Sequence, residues 1–150
     1  MKKIGLAIGI GILAIIALAI GMAGKMGETS HAFAKGRIIV DESLLAQAQG
    51  IGTLFIIASG QDRPMPLGAL RTLLSGELKS DLYEFILTKD NMQLMPGAMG
   101  GELPESFKLK ARLDRDGSAG PDQPGDLVGE IAIVHKGQDG LELRINRVIP

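Results

Sequence analysis

Gly52-Thr53-Leu54-Phe55-Ile56-Ile57-Ala58-Ser59, followed at once by Gly60-Gln61-Asp62-Arg63-Pro64-Met65-Pro66-Leu67, is the stretch on which the fold of this chain turns. Its first half is a short apolar run, rich in β-branched and aromatic residues and bounded by glycines, which reads as a strand buried on both faces. Its second half cannot continue that strand. Pro64 and Pro66 lack an N–H donor and fix φ, so residues 63–66 are held in a stiff, extended turn at the strand's exit. Such a turn either stops the strand from pairing onward or presents its side chains to a partner.

Outward from this strand the pattern stays β-like. Arg37-Ile38-Ile39-Val40 is a short strand, and Asp41 is placed to cap a helical turn over residues 42–46 that stops before Gly50. Residues 67–74 and 82–87 are apolar enough for two more strands. Ser106–Asp114 alternates, with Phe107, Leu109, Ala111 and Leu113 on one face and Lys108, Lys110, Arg112 and Asp114 on the other, the pattern of a half-buried strand. Leu127–His135 and residues 141–149 form a closing pair, joined by Lys136-Gly137-Gln138-Asp139-Gly140, whose Asp-Gly suits a hairpin. In the last strand the apolar phase slips after Ile145, which predicts a bulge near Asn146. About seven short strands with Gly/Pro turns predict a mainly β domain, an antiparallel β-sandwich.

The N-terminus has a different character. Met1-Lys2-Lys3 precedes 21 uncharged residues, 4–24, which as a helix would span about 32 Å, close to the thickness of a bilayer core. Residues 1–24 therefore read as a single-pass anchor in a bacterial inner membrane, with the lysines cytoplasmic and the rest of the chain periplasmic. Ala32-Phe33-Ala34 before Lys35 resembles a cleavage site and supports a signal-peptide reading. The long apolar run, ending well before that site, favours a retained anchor. Gly5 and Gly9 form a GxxxG pair suited to helix–helix packing in a membrane. Residues 25–35 read as a tether and 36–150 as the periplasmic domain.

Composition excludes several functions. Residues 25–150 carry 14 basic and 17 acidic side chains, a net charge of −3, which argues against nucleic acid as a partner. With no cysteine there is no thiol chemistry, CxxC exchange or covalent haem attachment. The two histidines, His31 in the tether and His135 at a strand end, stand too far apart in sequence to suggest a catalytic pair or a zinc site, and no G-x-S-x-G elbow is present. Asp114-Arg115-Asp116-Gly117-Ser118 fails as a calcium loop, because glycine falls at its fourth position and Gly125 stands where a bidentate Glu is needed. The expectation is a protein that is not an enzyme and needs no cofactor. Met92, Met95 and Met99 at i, i+3, i+7, with Met65 beside the prolines, fit core packing, an adaptable partner surface or soft ligands for Cu(I).

Taken in order, these segments resemble a known family. Gly36-Arg37-Ile38-Ile39-Val40-Asp41, Leu44-Leu45-Ala46, the strand from Gly52 to Ala58 and Pro64-Met65-Pro66-Leu67-Gly68 are similar to the periplasmic C-terminal domain of the CycH-type cytochrome c biogenesis protein. Asp90-Asn91-Met92, Met95-Pro96-Gly97, Lys110-Ala111-Arg112-Leu113 and Gln123-Pro124-Gly125-Asp126-Leu127-Val128-Gly129 continue the match, which covers residues 36–149. The resemblance implies a chaperone-like assembly factor that binds apocytochrome c or a component of the haem-ligation machinery. In that family the grip on apocytochrome is credited largely to a helical-repeat region, and this sequence shows none. An accessory structural subunit of a membrane-bound respiratory complex is the alternative. The candidate partner-binding residues are Arg63, Pro64, Met65 and Pro66, with Met92, Met95 and Met99. In that set Arg63 supplies a fixed polar contact and Met65 an apolar knob.

Overall fold

Burial on both faces of the central strand is the first expectation the structure meets. The computed structural model describes residues 31–61, 65–95 and 102–150. Among these, two sheets form. One has the strand order β5 (Gln93–Leu94), β3 (Pro66–Leu73), β2 (Thr53–Ser59), β6 (Ser106–Asp114), β7 (Leu127–His135) and β9 (Arg147–Val148). The other has the order β4 (Asp81–Thr88), β1 (Ala32–Val40) and β8 (Gln138–Ile145). The central β2 pairs β3 on one side and β6 on the other. Leu54, Ile56 and Ala58 enter the core, and Phe55 on the opposite face is buried as well. Phe107, Leu109, Ala111 and Leu113 of β6 are fully buried, as their alternation predicts. They meet Ile38 and Val40 of β1, Phe85 and Leu87 of β4, and Leu141, Leu143 and Ile145 of β8 in one apolar core. Each of the Leu, Ile, Val and Phe side chains contributes roughly 1.5–3 kcal/mol on burial. A 3₁₀ turn at Glu42–Leu44, capped by Asp41 through a 3.4 Å bond from the Ser43 N–H, runs into α1 (Leu45–Ala48). The helical segment closes a corner of the core with Leu44 and Ala48.

The structure corrects the sequence reading in four places. First, β1 begins at Ala32, so four residues assigned to the tether belong to the strand, with Phe33 and Ala34 buried in the core. Second, β1 and β8 pair in parallel, whereas the other pairings among the described residues are antiparallel. A parallel pair needs a long connection, and here nearly the whole domain lies between the two strands.

Third, β7 and β8 do not form a hairpin. The turn at Lys136 and Gly137 passes the chain from one sheet to the other, held by Gly137 N–H to Phe33 C=O at 2.7 Å and Lys136 N–H to Glu105 C=O at 2.8 Å. Gly137 takes φ 88°, a conformation that a side chain would strain. Where β7 then crosses β8, Gly129 lies so close to the Arg144 carbonyl that a Cβ would collide with it. Fourth, the phase slip after Ile145 is no bulge. Asn146 donates its N–H to Val128 C=O at 3.1 Å, and Arg147 and Val148 then pair β7 as β9, so the chain changes sheets and its inward phase resets. The short strands β5 and β9 bring the number to nine among the described residues.

The anchor reading for residues 4–24, including Gly5 and Gly9, lies outside the described residues. Among the described residues no helix is long and apolar enough to cross a membrane.

Candidate functional site: a groove on the outer face of the six-stranded sheet

Strand alternation puts Phe55, Ile57 and Ser59 of β2 on the face turned away from the core, and the register extends that face across the sheet. Phe55 stands opposite Arg71 of β3 and Arg112 of β6; Ile57 stands opposite Ala69 and Lys110; Ala69 in turn faces Gln93 of β5. These side chains floor a groove of about 840 Å³. Pro66 and Met95 line it beside β3 and β5, and Ala119 to Asp122, from the loop between β6 and β7, form its opposite wall. The volume falls in the range of sites that bind small molecules or peptide side chains.

The wall is held by charge. Arg112 Nη1 donates to Gly120 C=O at 2.8 Å and to Asp122 Oδ1 at 3.1 Å, while its guanidinium carbon lies 5.0 Å from the centre of the Phe55 ring. Lys110 Nζ donates to Asp122 Oδ2. Burial alone would raise the Asp122 carboxyl, but the bonds from Lys110 and Arg112 outweigh it and hold the group below its ordinary value. Beneath the loop, Arg112 Nε faces Asp114 Oδ2 at 2.9 Å, with the two side chains only 3% and 1% exposed. Neither of these two atoms has an aligned hydrogen bond, so their contact is ionic alone. Asp114 Oδ1 accepts from Asp116 N–H at 3.1 Å and Gly117 N–H at 2.9 Å, which starts the loop. Desolvation, then the hydrogen bond shared with the Asp116 side chain, push the Asp114 carboxyl up; the same bond draws Asp116 down. Buried Asp126 closes the loop by accepting from Arg115 N–H at 3.2 Å and Gln123 N–H at 2.9 Å. The polar-looking face of β6 is thus half buried under its own loop. Among the described residues no three His, Cys, Asp or Glu side chains are placed to share a metal ion.

At the end of the face nearest the β2–β3 connection, β7 carries a bulge where Leu109 pairs Ile131 but Phe107 pairs Val134. Gln61 Nε2 donates to Ala132 C=O at 2.8 Å, tying the start of the connection to this bulge, and Ile133 is left 57% exposed.

The predicted site residues separate accordingly. Pro66 and Met95 line the groove, with Met95 39% exposed, and Met65 at the mouth of β3 is 66% exposed. Met92 is corrected: at 5% exposure it belongs to the core and offers no partner surface. Arg63, Pro64 and Met99 lie outside the described residues. Phe55, Ile57, Arg71, Lys110, Arg112 and Asp122 were missing from the candidate set. Only the acid at position 122, near two cations of β6 in sequence, hinted at the closed wall.

Two sheets packed face to face, the larger one six strands wide with an open groove on its outer side, define a β-sandwich. Residues 35–146 match the family model of the cytochrome c-type biogenesis protein H Ig-like domain, and the chain belongs to that family. Membership ties it to c-type cytochrome maturation. Gly36 and Gly68, both in the matching stretch, stand where a Cβ would strike Leu141 and Leu94, so part of the resemblance is fixed by strand packing. No curated protein and no solved structure matches the chain.

Proposed function

We propose that the chain is a non-enzymatic, membrane-anchored assembly factor for c-type cytochromes. Its sandwich domain works on the periplasmic side and binds apocytochrome c or a component of the haem-ligation machinery. The observation that carries this reading is the groove, floored by Ile57 and Ala69 and edged by Pro66 and Met95, on a domain of the biogenesis family. Met65, the neighbour of Pro66, and Ile133 add exposed apolar side chains to the domain's surface. Pro66 begins β3 with its φ fixed by the ring, so this edge of the groove loses little entropy on binding. Methionine edges suit a client presented in several sequences, because the thioether chain repacks readily.

The test is a gentle detergent purification of the full-length protein from its native membrane. Apocytochrome c or haem-ligation components should co-purify in substoichiometric amounts. Arg63→Ala with Met65→Ala, on an intact fold, should lower that recovery. Recovery of a stoichiometric, haem-loaded respiratory complex would replace the assembly role with that of a structural subunit.

A further inference from the structure

The cations lining the groove are not equivalent. Lys110 and Arg112 share Asp122, and Arg112 is further paired to Asp114. Arg71 is exposed and its side chain, among the described residues, makes no ion pair or hydrogen bond, although it stands opposite Phe55 on the groove floor. The lining therefore carries three cations and one carboxylate on a domain that is net acidic, and the unbalanced charge sits on Arg71. Next along the floor come the apolar side chains of Ala69 and Ile57, which stand opposite each other, and beyond them Met95, whose N–H donates to Leu67 C=O at 2.8 Å. Ala69 and Arg71 project from the same face of β3 two residues apart, about 7 Å. An extended peptide has that same spacing between its own side chains i and i+2.

We infer that the groove binds an extended peptide segment bearing an acidic side chain two positions from a large apolar one. The carboxylate meets the Arg71 guanidinium in a charge-assisted, bidentate contact, and the apolar side chain lies on Ile57 and Ala69, pointing along the floor towards Met95. This rests on the assembly-factor reading for the origin of the peptide, but not for the chemistry of the groove. The client segment is then recognised by charge and apolar spacing together, and basic segments are rejected by Arg71.

A phage-displayed library of random seven-residue peptides, selected on the full-length chain in detergent, tests this directly. Wild-type protein should enrich Asp or Glu two positions from Leu, Ile, Met or Phe. The best peptide should weaken about tenfold or more in Arg71→Ala, the loss expected for one charge-assisted hydrogen bond. Selection on Arg71→Glu should replace the acid with Lys or Arg. No enrichment, a consensus without an acid, or binding unchanged in Arg71→Ala would overturn the inference. If Arg63→Ala with Met65→Ala lowers mature cytochrome while no acid-selective peptide emerges, the groove assignment falls and the assembly role stands.

Discussion

Replacing Arg112 with leucine removes the centre of the network that holds the groove's wall. The side chain is almost wholly buried, and its loss leaves Asp114 as an uncompensated buried charge while freeing Gly120 C=O and Asp122 Oδ1. Breaking a buried pair from one side costs about 3–5 kcal/mol. Against a total stability of about 5–15 kcal/mol that is a large share. It should lower the thermal midpoint by roughly 10–20 °C for a domain of this size. The loss should also depend on pH. The folded Asp114 carboxyl lies above its unfolded value, so the native state holds the proton more tightly. Ionising it costs stability above the folded value, and that cost fades as pH falls towards the unfolded one. Without Arg112 the cost grows, so the deficit should be greatest near neutrality and shrink in acid. Arg112→Leu with Asp114→Asn should recover much of the loss, because the amide oxygen still accepts from Asp116 and Gly117 N–H. Thermal unfolding by circular dichroism of the three proteins across pH 4–7 measures all of this. A loss below about 1 kcal/mol, a loss independent of pH, or a double variant no better than the single would refute the account of this network.

Three further outcomes follow from the same contacts. Gly129→Ala should destabilise by at least about 3 kcal/mol or prevent folding, since its Cβ meets the backbone of β8; a near-native thermal midpoint would show that the sheets can separate there. Met92→Ala should cost about 2–5 kcal/mol, whereas Met95→Ala should change stability by less than about 0.5 kcal/mol and weaken client binding, a contrast read by pairing urea unfolding with the co-purification. Asp122 is held below its ordinary value, so it contributes stability above its unfolded value and loses it as pH falls through the folded one. Asp122→Asn should therefore lower the thermal midpoint near neutrality and flatten its fall between pH 5 and 3; an unchanged profile would remove Asp122 from the wall.

What was legible in the sequence was what local patterning decides. The run from Thr53 to Ala58 and the alternation of Ser106–Asp114 report which side chains face the core, and they do so without knowledge of the partners. The half-buried-strand pattern of β6 carried no sign that Arg112 and Asp114 are covered, because they bond to residues 116–122, and a polar loop folding back on its own strand has the same composition as one extending into water. The turn at Lys136 and Gly137 was misread because glycine-centred turn chemistry serves a hairpin and a change of sheet equally well. The decision lies in Gly129 and in the parallel pairing of β8 with β1, which are long-range. Phe33 and Ala34 sit among glycine and polar residues, so their burial in β1 leaves little local trace. Met92 and Met95 differ by three residues, a spacing that helix periodicity links but that the turn into β5 sends to opposite sides of the sheet.

The central claim is that this chain serves the maturation of c-type cytochromes, and its most direct test is the level of covalently haem-loaded cytochrome c in cells that lack it, read by haem staining after denaturing electrophoresis. Loss of the haem-stained bands while the apocytochrome polypeptides are still made, with recovery on return of the wild-type chain but not of Arg71→Glu, is the predicted result. Haem-stained cytochromes at unchanged levels in cells lacking the chain would contradict it.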